Sequence, residues 1–110
     1  MKIDIETIEQ VTLVRIVGAL DGATAPQAQT QILPLIKLGS KILLDMSSVT
    51  DLTSSGLMML LVIGRQVSNQ NGRIALVTLT KEHKDIIEVT GLLRLFTTCE
   101  TVNEGLKALK

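Results

Sequence analysis

The chain has no Trp, no Tyr and one aromatic residue in all, Phe96. Aromatic stacking on bases or sugar rings is therefore excluded as a means of recognition. A single cysteine, Cys99, cannot close an internal disulfide or build a metal site alone. Its expected role is that of a small, partly buried side chain. No Cys/His cluster has metal spacing and no Gly-rich phosphate loop is present, so neither metal nor cofactor is expected. No sign of charge dominates, because eleven Lys and Arg offset eleven Asp and Glu. That neutrality argues against nucleic acid and anionic membrane as partners. The longest apolar run, Leu57–Ile63, is far shorter than the ~20 residues that span a bilayer. The N-terminus alternates Ile with Asp and Glu and carries no signal-peptide pattern. A cytoplasmic protein in a reducing compartment is expected.

What the chain does contain is an ordinary globular balance, 45% hydrophobic and 20% charged over 110 residues. This predicts one domain spanning residues 1–110. Residues 2–8 alternate apolar and charged side chains, the period of a half-exposed strand. Val11–Val17 reads as a second strand, and only Glu9-Gln10 separates the two, which suggests a hairpin without the common Asn-Gly turn. Thr24 and Pro26 read as an N-cap and early helical proline, opening a helix that runs toward Leu38. Pro34 would cost ~3 kcal/mol inside that helix, so a kink or an early end near Leu33 is expected.

Lys41–Met46 suits a buried strand, Ser47–Thr53 a polar loop and Ser54–Asn69 a helix. Arg73–Thr78 is a further buried strand, Lys81–Gly91 a helix and Leu92–Leu95 a turn. Phe96–Thr98 suggests a short edge strand, and Thr101-Val-Asn-Glu104 has the form of a capping box opening a last helix. The pattern predicts an α/β fold with a mixed four- to five-stranded sheet and about four helices.

Candidate chemistry is sparse. His83, the one histidine, sits among Lys81, Glu82, Lys84 and Asp85 and reads as an exposed helical residue. A small hydrolase using Ser55 and His83 lacks the Gly-x-Ser-x-Gly elbow that would support it, and no catalytic residue is assigned. Ser54-Ser55-Gly56 falls where a loop enters a helix. Free N–H groups and the positive end of the helix dipole favour an anion there. A capping serine beside an incidental glycine is the plainer alternative. The seven apolar residues from Leu57 to Ile63 wrap right round a helix. With Leu57, Leu60, Leu61 and Gly64 turned inward, Met58 and Val62 point elsewhere and Met59 and Ile63 lie at the boundary. The helix is then either buried on all sides or exposes an adaptable apolar strip beside Ser55.

Four stretches together resemble the STAS domain, and specifically the free-standing anti-sigma-factor antagonists. They are Gly18-Ala-Leu-Asp-Gly-Ala-Thr-Ala-Pro26, Leu43-Leu-Asp-Met-Ser-Ser-Val49, Thr53-Ser-Ser-Gly-Leu57 and Val89-Thr-Gly-Leu-Leu-Arg-Leu-Phe96. The resemblance implies a STAS-like fold and a binding protein, not an enzyme. It implies that the unmodified chain binds an anti-sigma factor that is also a serine kinase, thereby releasing a sigma factor. Phosphorylation of Ser55 would end the complex and a serine phosphatase would reset it. The implied partner-binding residues are Asp21, Thr53, Ser54, Ser55, Gly56, Met58, Met59 and Val62. Thr53 stands where the family usually has aspartate, and Asp51 is the nearest carboxylate before it. A constitutive scaffold or transporter-associated STAS module, with Ser55 never modified, is the alternative.

Overall fold

Two adjacent residues with positive φ, Glu9 at 48° and Gln10 at 74°, turn the chain back on itself at its first corner. This is the mirror-image type I turn, whose twist matches the strands it joins. It closes the hairpin of β1 (Lys2–Ile8) and β2 (Val11–Leu20), with Ile8 paired to Val11. The computed structural model describes residues 1–110. After the hairpin come α1 (Ala25–Ile32), β3 (Lys41–Leu52), α2 (Ser54–Asn69), β4 (Arg73–Val77), α3 (Lys81–Val89), β5 (Thr97–Cys99) and α4 (Val102–Ala108). The five strands form one sheet in sequence order, antiparallel between β1 and β2 and parallel from there on. A five-stranded mixed sheet with four helices is thus present, as the sequence pattern predicts.

Alternation along the central strands divides the core. Val14, Ile16, Ile42, Leu44, Ile74 and Leu76 point to one face, where α1, α2 and α3 complete a cluster of 20 buried residues. Val11, Leu13, Leu43, Ala75 and Val77 point to the other, where Leu109, just past α4, completes a cluster of 6. Val102 and Leu106 pack against this smaller cluster, as their shared helical face implies. Pro34 acts as expected: α1 ends at Ile32 and a 3-10 turn, Leu33–Leu35, follows.

Three expectations are corrected. Ser47–Thr53 is not a loop, because β3 continues to Leu52. Ser48, Val49 and Leu52 pair with Val17, Gly18 and Leu20, and that pairing outweighs the polar composition. His83 is not exposed. It is 6% accessible, since it lies one helical turn before buried Ile87 on the face of α3 turned to the core, leaving its charged neighbours outside. Its Nδ1 has no hydrogen-bond partner. Finally, Thr24 does not cap α1 with its side chain. The Asp21 carbonyl accepts from Ala25 N at 2.9 Å, and Asp21 Oδ1 accepts from Ala23 N at 2.9 Å and Thr24 N at 3.0 Å. Asp21 thus closes the turn that leads into α1, with the Thr24 hydroxyl accepting in return from Asp21 N at 3.0 Å.

Asp45 holds the place where β3 leaves β4. It forms the last β3–β4 pair, with Val77, and beyond it β3 bulges and continues along β2 alone. The residue is 4% accessible. It accepts from Arg15 Nε at 3.0 Å across the β2–β3 pairing and from Ser47 N at 3.0 Å. Burial pushes the Asp45 carboxyl up, but the bonds from Ser47 and the Arg15 charge outweigh it and hold the group below the usual carboxylate range. A depressed folded-state pKa stabilises the fold above the unfolded value near ~3.9 and loses that contribution as pH falls toward the folded value. Asp45→Ala should cost about 1–3 kcal/mol in urea unfolding at neutral pH, by removing the charge-assisted hydrogen bonds to Arg15 Nε and Ser47 N. The variant's stability should also fall less steeply than wild type as the pH is lowered below ~4.

Candidate functional site

The extended second half of β3 carries the chain to the C-terminal end of β2, and there one carbonyl fixes the start of α2. Leu20 O accepts from Thr53 N at 3.1 Å and from Thr53 Oγ1 at 3.0 Å. The side chain at this position thus acts as a donor, which an ionised aspartate cannot do. Asp51, the nearby carboxylate, is exposed and makes no hydrogen bond. Because the Thr53 hydroxyl is turned to Leu20, it does not cap α2, and the first N–H groups of that helix have no side-chain partner. They lie at the end of the helix where its dipole favours negative charge.

Ser55 is the second residue of α2 and half-buried, and Ser54 beside it is exposed. The Asp21–Thr24 turn lies against it, with a side-chain carbon built on Gly22 falling 3.7 Å from Ser55 Oγ. Asp21 is close in space, but its carboxylate is turned into its own loop. Bonds from Thr24, and then from Ala23, lower its pKa, so it stays ionised at neutral pH.

Gly56 is buried and packs against the ends of two strands. A Cβ there would lie 2.8 Å from Leu20 O, 2.9 Å from Leu20 Cβ and 2.9 Å from Leu52 Cδ1. It offers no surface to a partner and serves instead to let α2 approach β2. Met59 is likewise corrected. At 1% accessible it belongs to the core, together with Leu60, Ile63, Gly64 and Val67. The inward stripe is thus rotated from the expected one, leaving Leu57 and Leu61 half-buried, because α1 covers one flank of α2 and the turn Leu92–Leu95 the other. Met58 and Val62 do stand out, at 59% and 37% accessible.

Met58 forms a ridge between two grooves. On the α1 side a groove of about 490 Å³ runs from Gly22 and Ser55 past Pro26, Gln29 and Thr30 to Val62. On the other side a smaller one of about 250 Å³ is lined by Ser54, Leu57, Leu61, Thr90 and Leu92. The sequence reading missed Pro26, Gln29 and Thr30. Their spacing marks one face of α1, but only the packing of α1 against α2 places that face beside Ser55. Ser55 and His83 make no hydrogen bond to each other, and Cys99 is half-buried with its thiol pKa pushed up by burial. No group of three or more His, Cys, Asp or Glu is placed to hold a metal ion, and no helix is long and apolar enough to cross a membrane.

The family model of the STAS domain matches residues 2–105. The chain belongs to the STAS family. Over 111 aligned residues it is 22% identical to BtrV of Bordetella bronchiseptica, which is named for anti-sigma-factor antagonism; the match covers 100% of this chain and 96% of BtrV. The crystal structure of an anti-sigma factor antagonist from Mycobacterium paratuberculosis superposes with a TM-score of 0.82 at 25% identity, covering 98% of this chain and 92% of that one. The Bacillus cell fate determinant SpoIIAA, solved in its phosphorylated form, superposes with a TM-score of 0.75 at 20% identity over 99% of this chain and 100% of its own.

In this STAS domain the approach of α2 to β2 rests on Gly56. Gly56→Ala should destabilise the fold by about 1–3 kcal/mol, since the added carbon meets backbone that cannot yield. It should also shift the amide resonance of Leu20, whereas Ser54→Ala, at an exposed position, should neither destabilise the fold nor move that resonance.

Proposed function

We propose that this STAS domain is an anti-sigma-factor antagonist switched by phosphorylation of Ser55. Unmodified, it docks on an anti-sigma factor that is also a serine kinase, and a sigma factor is released. The kinase then phosphorylates Ser55, the complex separates, and a serine phosphatase restores the docking form. These events belong to the cytoplasm and require no cofactor, nucleic acid or membrane. The observation that carries the reading is the position of Ser55, half-buried at the uncapped N-terminus of α2 and directly beside the exposed Met58 ridge. Kinship with BtrV supports the general role.

The physical consequences follow from that position. A phosphate brings about −1.5 to −2 charges at neutral pH. Within the domain the free N–H groups of the first helical turn offset them, so the fold tolerates the modification. A partner packed over Ser55 and Met58 receives both the charge and the bulk, without donors arranged to accept them. Thr53, Ser54 and Val62 complete the docking surface around that ridge, and Asp21 borders it. Gly56 and Met59 support it from below.

Ser55→Asp should weaken binding to the anti-sigma factor by about tenfold or more while leaving the circular dichroism spectrum unchanged. Met58→Glu should do the same, by placing a charge on the apolar ridge. Isothermal titration with the purified partner measures both. A Ser55→Asp protein that binds as tightly as wild type would sink the switch. Intact-mass and phosphopeptide analysis of the protein from its host should find phosphoserine at position 55. Its absence under every growth and stress condition would favour a constitutive scaffold instead.

A further inference from the structure

A cleft of about 240 Å³ opens at the far end of α2 from Ser55, between that helix, the start of β4 and the 3-10 turn Leu92–Leu95. Arg73 and Arg94 line it from separate elements, and Ser68 and Thr97 add hydroxyl groups. No acidic residue lines the cleft. Neither arginine lies within ion-pair distance of a carboxylate, for the ion pairs of this chain are Lys2–Asp4, Arg15–Asp45 and Lys110–Glu9. In a chain whose charges balance eleven against eleven, this is a local excess of positive charge with no counter-charge of its own.

The backbone that carries the two arginines is well held. Arg73 N donates to Ser40 O at 2.8 Å, and Arg73 sits in register with Lys41 on β3. The turn bearing Arg94 packs on α2 at Gly64, where a Cβ would lie 3.0 Å from Phe96 Cζ and 3.1 Å from Leu95 Cβ. Close packing at that glycine sets the distance between α2 and the turn, and so the width of the cleft.

We propose that this cleft binds a phosphoryl group, either free phosphate or a phosphomonoester carried by a partner residue. Guanidinium groups are permanently charged and present paired N–H donors that match phosphate oxygens. Two of them suit a dianion, whereas a single carboxylate would leave one charge unmatched. The site is separate from the docking surface around Ser55 and does not depend on it.

The test records ¹H–¹⁵N spectra, arginine Nε–Hε signals included, while inorganic phosphate is added at constant ionic strength. Saturable shifts are expected at the Arg73 and Arg94 side chains and at the amides of Ser68 and Thr97. Arg65, exposed on α2 outside the cleft, should not follow them. The double variant Arg73→Gln/Arg94→Gln should bind at least about tenfold more weakly. Both positions are exposed, so its amide spectrum should remain that of the folded domain. Were it to unfold, the wild-type side-chain shifts still decide the matter. A phosphoserine peptide binding at least about tenfold tighter than phosphate would assign the group to a partner, and equal binding would assign it to free phosphate. Shifts that never saturate, or that Arg65 shares equally, overturn the proposal.

Discussion

The carbonyl oxygen of Leu20 is the point on which the candidate site depends. It accepts two hydrogen bonds from Thr53, one from the backbone and one from the side chain, and it forms the wall against which Gly56 packs. Those contacts join the end of β2 to the start of α2, two segments more than thirty residues apart in the chain. Everything next to Ser55 inherits its position from this junction. The Asp21–Thr24 turn leaves β2 immediately after Leu20, so the loop that flanks Ser55 and the helix that carries it are fixed to the same atom.

The junction exists because β3 is longer than its apolar segment. Up to Asp45 the strand is central, buried between β2 and β4. After Asp45 it bulges and runs on beside β2 alone, with polar residues on its open side. The carboxylate of Asp45 bonds the backbone of Ser47 just past that transition and meets Arg15 across the sheet. An ion pair of this kind matters less for its net energy than for what its absence would leave unpaired in a buried place. Its effect is geometric: it holds the bulge that redirects the strand toward the site.

At the start of α2 the same economy of partners leaves room for chemistry. A threonine before a helix commonly bonds the N–H two or three residues on. Thr53 bonds Leu20 instead, which leaves the first turn of α2 free at the positive end of its dipole. The Asp21 carboxylate is occupied by its own turn, so its charge is anchored beside Ser55 without reaching over it. The apolar ridge at Met58 then adjoins a polar, uncapped helix end, and a modification at Ser55 would change the character of the larger groove, which Ser55 lines.

Much of this was legible in the chain. Apolar periodicity marks α2 at Ser54–Asn69, the hairpin turn at Glu9-Gln10 is bracketed by alternating residues, and Pro34 ends α1 because its ring and missing N–H act locally. Each of these is set by residues within a few positions of one another. The features that sequence could not determine all involve distant partners. Ser47–Leu52 is a strand because β2 lies beside it, and Met59 is core because α1 and the Leu92–Leu95 turn cover the two flanks of its helix. His83 is buried because it shares with Ile87 the face of α3 turned to the core, despite four charged neighbours. Local composition sets which elements form, while the end of β3 was set by its neighbour β2. Which side of each element is covered, and therefore whether a methionine is a contact or a support, was decided only when the helices packed on the sheet.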